Sequence, residues 1–263
     1  MTIGFIGMGN MGKAMLGGAI TSGRYNPEDI FASDVNCEAL EIIKKTYGIN
    51  ISSKNEEAAK CNMLVLAVKP QFLYGVIDEI KNTVDEKTVV VSIAAGQSME
   101  KIEKAFGKDI KLVRVMPNTP ALVGEAMSAL SANERVNDEE KEAVKAFFEC
   151  FGKAELVPES LMDAVTGVSG SSPAYVFMFI EALADAAVNA GMMRKQAYTF
   201  AAQAVIGSAK MVLETGMHPG ELKDMVCSPA GTTIEAVKVL EEKGFRAAIM
   251  DAVDACVKKS QSM

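Results

Sequence analysis

The chain has 263 residues, of which 49% are hydrophobic and 23% are charged, and this composition supplies enough apolar surface for one or two cores. Its formal charge of -7 argues against a nucleic-acid partner, because phosphate binding needs a basic surface. Five cysteines without a C-x-x-C spacing and the single histidine His218 favour a reducing, cytoplasmic setting and predict neither a disulfide framework nor a metal site.

The N-terminal half alternates short apolar runs with helical stretches. Strands are predicted at residues 2–6, 30–33, 63–68, 89–93, 111–115 and 126–131. Helices are predicted from the glycine loop to about Ser22, over residues 39–47 and over residues 72–82. Strands separated by helices of this length indicate βαβ units, so we predict an α/β fold with a doubly wound parallel sheet.

From about Ser160 helical periodicity continues to the end, so we place a domain boundary between residues 159 and 160. Residues 162–190 are apolar nearly all round, and a helix of that kind must be covered on most sides. We therefore predict a second, all-α domain over residues 160–263 that dimerises. The longest uncharged run, residues 164–180, falls short of the roughly 20 apolar residues of a membrane span. With no signal peptide visible, a soluble protein without a membrane partner is expected.

Residues 7–12 read Gly-Met-Gly-Asn-Met-Gly and lie between the first predicted strand and the first predicted helix. In this spacing Gly7 permits a tight turn, Gly9 lets the backbone approach a pyrophosphate, and Gly12 lets helix and strand pack closely. The helix N-terminus then offers unpaired N–H groups to the phosphates. This context predicts a dinucleotide-binding loop; the alternative is an ordinary glycine-rich turn.

Asp34 follows the second predicted strand, where an acidic side chain can hydrogen-bond the adenosine ribose. A carboxylate there favours free ribose hydroxyls and repels a 2′-phosphate, whereas Ser33 and Asn36 are able to donate to one. Taken alone, Asp34 favours NAD(H). The alternative is that Asp34 caps the following helix.

Two segments rich in Gly, Ser and Thr, residues 166–175 and 227–233, precede predicted helices in the second half. Each is a candidate anion site, and the alternative is simple capping by Ser172 or Thr233. No lysine occurs between Lys153 and Lys195. Oxidation of a hydroxyl needs a positioned general base, whereas an imine nitrogen can arrive already protonated. The residues therefore favour imine reduction, with the Thr233 hydroxyl holding the nitrogen.

These features together resemble the pyrroline-5-carboxylate reductase family through nearly the whole chain. The matching segments are residues 4–12, 66–71, 91–96, 115–120, 169–175, 218–223 and 228–236. The resemblance implies an N-terminal Rossmann-type domain followed by an all-α dimerisation domain, in homodimers that often assemble into rings such as a decamer. It implies an oxidoreductase that transfers hydride from NADPH or NADH to the C=N bond of L-1-pyrroline-5-carboxylate, which forms L-proline in the last step of proline biosynthesis.

Site residues follow from the same resemblance. It implies cofactor contacts at the phosphates, the adenosine ribose and the nicotinamide by Gly7, Met8, Gly9, Asn10, Met11, Gly12, Ser33, Asp34, Asn55, Ala67, Lys69, Pro70, Ala94, Ala95 and Asn118. It implies that the substrate carboxylate is bound by Ser228, Gly231, Thr232 and Thr233. Thr233 is the implied catalytic residue at the ring nitrogen. Glu221 lies on the neighbouring turn and is expected to serve the pocket of the partner subunit.

The chain departs from the family pattern at three positions. Ser172 and Ala230 stand where glycine is usual, and Asp34 stands where members that prefer NADPH often carry serine. We therefore expect the use of both cofactors. His218 is interpreted as a residue at a helix C-terminus, and Lys69 either contacts cofactor or ends a strand.

Two other functions were weighed against imine reduction. A β-hydroxyacid dehydrogenase has a similar N-terminal half but relies on a lysine on the long interdomain helix, which is missing here. A non-catalytic dinucleotide sensor is the other alternative, and the intact segment 228–233 argues against it.

Overall fold

The computed structural model describes residues 1–262 and divides the chain into two compact units. The first unit contains residues 1–171 together with the chain from Cys256 onward, and the second contains Ser172–Ala255. Because the first unit extends past residue 159 and includes the end of the last helix, the boundary between residues 159 and 160 stays a prediction.

An eight-stranded sheet forms the centre of the first unit within residues 1–262, with strand order β3-β2-β1-β4-β5-β6-β7-β8. Its strands are β1 (Ile3–Ile6), β2 (Ile30–Ser33), β3 (Asn50–Ser52), β4 (Met63–Leu66), β5 (Val89–Ser92), β6 (Lys111–Met116), β7 (Ala126–Ala132) and β8 (Gly152–Leu156). The order reverses at β1, and Ile6 lies in register with both Ser33 and Leu66. The carboxyl ends of β1, β2 and β4 therefore meet at one edge, where doubly wound sheets bind ligands.

The sheet is parallel from β3 through β6, as predicted, but β7 pairs with β6 in the antiparallel direction. Strand β8 runs parallel to β7, so these two strands at one end of the sheet run in the direction opposite to the others. Apolar periodicity predicted β7 but carries no information on its direction. The short polar strands β3 and β8 were not predicted, because they lack an apolar run.

Helices cover both faces of the sheet. The α-helices of the first unit are α1 (Asn10–Thr21), α2 (Cys37–Tyr47), α3 (Asn55–Ala59), α4 (Pro70–Ile80), α5 (Met99–Phe106), α6 (Asp138–Phe148) and α7 (Met162–Val165). One core cluster contains Phe5, Met15 and Phe147, and the other contains Leu64, Ile77 and Ile102. Each face of the sheet is thus closed by its own helices.

The second unit is helical and consists of α8 (Ser172–Asn189), α9 (Arg194–Thr215), α10 (Pro219–Val226), α11 (Thr232–Glu242) and the start of α12 (Phe245–Gln261). Helices α8 and α9 pack against each other. The Gly/Ser/Thr-rich segment predicted to precede the long apolar helix contains a π-helical turn, Thr166–Gly170, which separates α7 from α8. Such turns are often found at functional sites.

Helix α8 leaves most of its apolar side chains uncovered. Phe177 is 63% exposed and Met178 is 69% exposed, whereas Ala184 is fully buried. By length and composition alone, the helical stretch of residues 159–189 is apolar enough to cross a membrane, with a mean hydropathy of 1.2 and a 6% buried share in its most apolar 18-residue window. This surface needs an apolar cover that the single chain does not supply.

Candidate functional site

The glycine loop makes a tight turn between β1 and α1. Gly7 has a φ of +99°, and its N–H donates to the carbonyl oxygen of Ser33 at 2.9 Å. A Cβ atom at Gly7 would lie 2.8 Å from the carbonyl oxygen of Ala67, and one at Gly12 would lie 2.4 Å from that of Gly7. A Cβ at Gly9 would meet no described atom within 4 Å. Gly7 and Gly12 are thus required by packing, and Gly9 leaves the loop surface open.

Asp34 ties the end of β2 to the glycine loop. Its Oδ2 accepts a hydrogen bond from the Met8 N–H at 2.6 Å, and its Oδ1 accepts one from the Asn36 N–H at 2.8 Å. The N-cap of α2 is Asn36, whose side chain accepts from the Ala39 N–H. The interpretation of Asp34 as the helix cap was therefore wrong. Each carboxylate oxygen keeps a lone pair for a further donor.

A cavity of about 490 Å³ lies at this edge of the sheet. Six of the predicted cofactor residues line it together: Gly7, Gly9, Asp34, Asn55, Ala67 and Lys69. Other lining residues were not predicted, namely Val35, Gln71, Phe72, Gly75, Val76 and Glu79. Val35 is 100% exposed and Phe72 is 59% exposed, so apolar surface faces solvent here. The cavity therefore combines apolar walls with a few polar groups, as dinucleotide sites do.

Helix α4 carried a signal for these missed residues. Phe72, Gly75, Val76 and Glu79 are spaced i, i+3, i+4 and i+7, so they lie on one helix face. This face is separate from the core face formed by Leu73, Ile77 and Ile80. A second apolar face with a glycine inside a helix indicates a ligand-facing wall.

The first turn of α1 provides the free backbone donors of the loop. Asn10, Met11 and Gly12 are its first three residues, and their N–H groups have no partner within the helix. The contact predicted for the Met8 N–H needs correction, because Asp34 already accepts that hydrogen and Met8 is only 2% exposed.

Two other predicted cofactor residues use their polar groups inside the fold, so their cofactor roles stay predictions. Ser33 is completely buried, and its hydroxyl donates to Asn55 Oδ1 at 2.8 Å, so Ser33 positions Asn55. Asn118 is 8% exposed; its Oδ1 accepts from the Met127 N–H and its Nδ2 donates to the Ser169 carbonyl. Asn118 thus connects β7 to the π-helical turn.

The remaining predicted nicotinamide residues follow strand ends. Pro70 is the first residue of α4, and Lys69 is its N-cap residue, so Lys69 lies at a helix start and not at the end of a strand. Ala94 and Ala95 follow β5; Ala94 is buried, and Ala95 is half-buried. Their placement as cofactor contacts stays a prediction.

The second unit brings the predicted substrate residues together in one turn. Ser228 and Gly231 lie in the turn before α11, and Thr232 and Thr233 are its first two residues; the Gly231 N–H donates to the Ser228 carbonyl at 3.0 Å. A Cβ atom at Gly231 would lie 2.3 Å from Ser228 Oγ and 3.1 Å from the Ser228 carbonyl oxygen, so a side chain there would displace the Ser228 hydroxyl. Gly231 is the N-cap residue, and no side chain within residues 1–262 caps α11. Simple capping by Thr233 is therefore excluded.

Ala230, one of the departures from the family pattern, has an unusual backbone conformation. It has a φ of +54°, and it is the one non-glycine residue with a positive φ within residues 1–262. This left-handed conformation costs about 1–2 kcal/mol for a residue with a Cβ. The backbone of the turn accounts for the usual glycine at this position.

Helix α10 carries Glu221, which lies outside this turn and is exposed. His218 is the N-cap of α10, and its Nδ1 accepts a hydrogen bond from the Gly220 N–H at 3.1 Å. The interpretation of His218 as a cation at a helix C-terminus was therefore wrong.

The cysteines and acidic residues do not form a further reactive centre in the described chain. Burial raises the pKa of the Cys61 thiol to about 11, so this thiol stays protonated at neutral pH. No group of His, Cys, Asp and Glu side chains within residues 1–262 has an arrangement that could hold a metal ion.

Two family models match the chain. The model described as pyrroline-5-carboxylate reductase dimerisation matches residues 159–263, and the model described as NADP oxidoreductase coenzyme F420-dependent matches residues 2–96. The two matches lie on the helical unit and on the glycine-loop half of the sheet, respectively.

Relatives and solved structures agree over the full length. Pyrroline-5-carboxylate reductase of Escherichia coli is 53% identical over 262 residues, which cover 99% of this chain and 97% of that protein. The structure of a pyrroline-5-carboxylate reductase from Coxiella burnetii has a TM-score of 0.94 at 35% identity and covers 99% of this chain and 97% of that one. Plasmodium falciparum pyrroline carboxylate reductase, solved with NADP bound, has a TM-score of 0.90 at 35% identity, with 100% and 97% coverage.

Proposed function

The chain belongs to the pyrroline-5-carboxylate reductase family, and we infer from this membership that it reduces L-1-pyrroline-5-carboxylate to L-proline with NADPH or NADH. This reaction is the last step of proline biosynthesis. The observation that carries the inference is the 53% identity over 99% of the chain, with both the glycine loop and the turn before α11 intact.

The cavity residues fit a nicotinamide dinucleotide, which supplies the hydride when bound. Asn10, Met11 and Gly12 at the first turn of α1 would hold its diphosphate through their unpaired N–H groups, and Gly9 leaves open space beside them. Asp34 would accept hydrogen bonds from the ribose hydroxyls, and Val35 and Phe72 offer apolar surface for the adenine. Ala67, Lys69, Pro70, Ala94 and Ala95, which follow β4 and β5, would hold the nicotinamide.

The turn before α11 binds the ring acid. The N–H groups at the start of α11 and the hydroxyls of Ser228 and Thr232 hold the carboxylate, and a helix N-terminus favours such an anion. The Thr233 hydroxyl accepts a hydrogen bond from the protonated ring nitrogen and fixes its orientation. Because the nitrogen arrives protonated, the chain needs no general base, in keeping with the lack of lysine on α8. Glu221 serves the pocket of the partner subunit.

The functional protein is a homodimer, or a larger ring of dimers such as a decamer, in the cytoplasm. The exposed apolar side chains of α8 support this assembly, because a second copy provides the cover that they lack. The match of the dimerisation model to residues 159–263 supports an interface on the same helices. The uncovered segment 159–189 is thus assigned to a subunit interface and not to a membrane.

An absorbance assay tests the reaction. Purified protein is incubated with NADPH or NADH and pyrroline-5-carboxylate, and loss of the reduced-nicotinamide band is followed. We expect oxidation of NADPH or NADH with this imine. We expect no reduction of NADP⁺ or NAD⁺ when β-hydroxyacids are supplied instead. Activity on hydroxyacids alone would support the dehydrogenase alternative, and binding of dinucleotide without any turnover would support a sensor.

A further inference from the structure

Glu79 lies on the cavity-facing side of α4 and has no role in the reaction described above. It lines the same cavity as Asp34 and Asn55. The adjacent residue Asp78 does not line the cavity and pairs instead with Lys81 at 2.6 Å. One α4 carboxylate therefore borders the cofactor cavity, and its neighbour belongs to the outer surface.

A hydrogen-bonded chain connects Glu79 to the end of β2. Asn55 Nδ2 donates to Glu79 Oε2 at 2.6 Å, and Asn55 Oδ1 accepts from the Ser33 hydroxyl at 2.8 Å. An ionised carboxylate can only accept hydrogen bonds, so Glu79 requires the amide nitrogen of Asn55 to face it. Glu79 thereby sets the orientation of the Asn55 amide and occupies one of its hydrogens.

This arrangement disfavours a phosphate beside the ribose in two ways. Asp34 and Glu79 place two negative charges on the cavity wall, and both repel a 2′-phosphate. In addition, the amide donor of Asn55, a suitable phosphate ligand, is directed at Glu79. A ribose with free hydroxyls meets neither penalty, because hydroxyls donate to carboxylates.

We propose that Glu79 is a specificity-determining residue that selects against the 2′-phosphate of NADPH, partly by its charge and partly by holding the Asn55 amide. The proposal rests on the proposed dinucleotide site and concerns the discrimination between the two cofactors. Glu79 acts on the adenosine end and has no part in the chemical step.

Isothermal titration calorimetry tests the proposal without turnover. It measures the affinities of NADP⁺ and NAD⁺ for the wild-type protein, for Glu79→Gln and for Glu79→Ala. Asp78→Asn is the matched control, since it removes a charge from the same helix outside the cavity. We expect both Glu79 variants to bind NADP⁺ more tightly by about fivefold at low salt, with NAD⁺ affinity changed less than about twofold, as for one partly exposed charge. Asp78→Asn should leave the ratio unchanged.

Added salt sharpens the test, because screening weakens the interaction of exposed charges. The gain in NADP⁺ affinity should shrink at high ionic strength, and the ratio of kcat/KM values for NADPH and NADH should follow the binding ratio. Equal changes for both dinucleotides, or the same shift in Asp78→Asn, would overturn the proposal. Failure of the wild-type protein to bind either dinucleotide would refute the proposed function itself.

Discussion

The two units differ in how they complete their cores. In the sheet unit, the side chains of Phe5, Met15 and Phe147 are fully buried by the helices of the same chain. In the helical unit, α8 buries Ala184 but leaves Phe177 and Met178 more than half exposed. The sheet unit therefore covers its own apolar surface, whereas the helical unit leaves apolar surface exposed, which we propose a second copy of the chain covers. We accordingly assign cofactor binding to the first unit and assembly to the second.

The largest effect is expected from a charge placed on the helical unit, with a charge on the sheet unit as the control. Phe177→Glu should dissociate the oligomer. An aromatic side chain buried in the proposed interface would be lost, which costs about 2 kcal/mol or more, and the new charge would be buried between the subunits. Ile42→Glu on α2 is the matched control, since Ile42 is 65% exposed and Phe177 is 63% exposed. Light scattering after size exclusion should give the monomer mass for the first variant alone. Equal behaviour of both variants would contradict the contrast between the units.

A large kinetic effect is expected in the helical unit at Thr233. Thr233→Ala should lower kcat about 10- to 100-fold, the value of a hydrogen bond to a charged group, while dinucleotide affinity stays unchanged. Thr233→Ser keeps the hydroxyl and should retain most of the turnover. Steady-state kinetics with separate cofactor titrations measure both quantities. An unchanged kcat in Thr233→Ala would remove Thr233 from the chemistry.

A smaller effect is expected in the sheet unit at Asp34. Asp34→Ser removes a charge that faces a 2′-phosphate, so the kcat/KM ratio of NADPH to NADH should rise about fivefold. The variant also loses the carboxylate that accepts from the Met8 N–H, so both KM values should increase. If the cofactor ratio stayed constant, Asp34 would serve only to hold the glycine loop.

The smallest effect is expected at Gly75, inside α4. A Cβ atom there would meet no described atom within 4 Å, and Gly75 lines the cavity. Gly75→Ala should raise the free energy of unfolding by about 0.5–1 kcal/mol, since glycine in a helix interior is less stable than alanine. It should also weaken dinucleotide binding, because the added methyl group narrows the wall. Thermal melts with and without NADH measure both; a gain in stability and in affinity together would contradict this role.

The sequence predicted those parts of the fold that depend on local periodicity. Apolar runs located β1, β2, β4, β5, β6 and β7, and the glycine spacing located the turn before α1. The direction of β7 was not predictable, because it depends on pairing with β6 and not on side-chain alternation. The Gly/Ser/Thr-rich segment 166–175 marked the interruption before α8, but its π-helical form was not predictable from residue type.

The sequence indicated several cavity-lining residues that follow strand ends, whereas tertiary contacts decide which polar groups stay free for a ligand. Asp34, Asn55 and Lys69 do line the cavity, and Ser33 does not, because its hydroxyl is occupied inside the fold. Met8 was misjudged since its N–H is bound by a carboxylate from the next strand. Glu79 was missed because an acidic residue on an amphipathic helix is most often simply solvated.

The most direct test of the central claim follows the hydride itself. The protein is supplied with dinucleotide deuterated at the transferable position of the nicotinamide, and the product is analysed by mass spectrometry and NMR. We predict L-proline with one deuterium at the former imine carbon, formed in equal amount to the dinucleotide oxidised. Proline without deuterium, or oxidation of the dinucleotide that proceeds without the imine, would contradict the assignment.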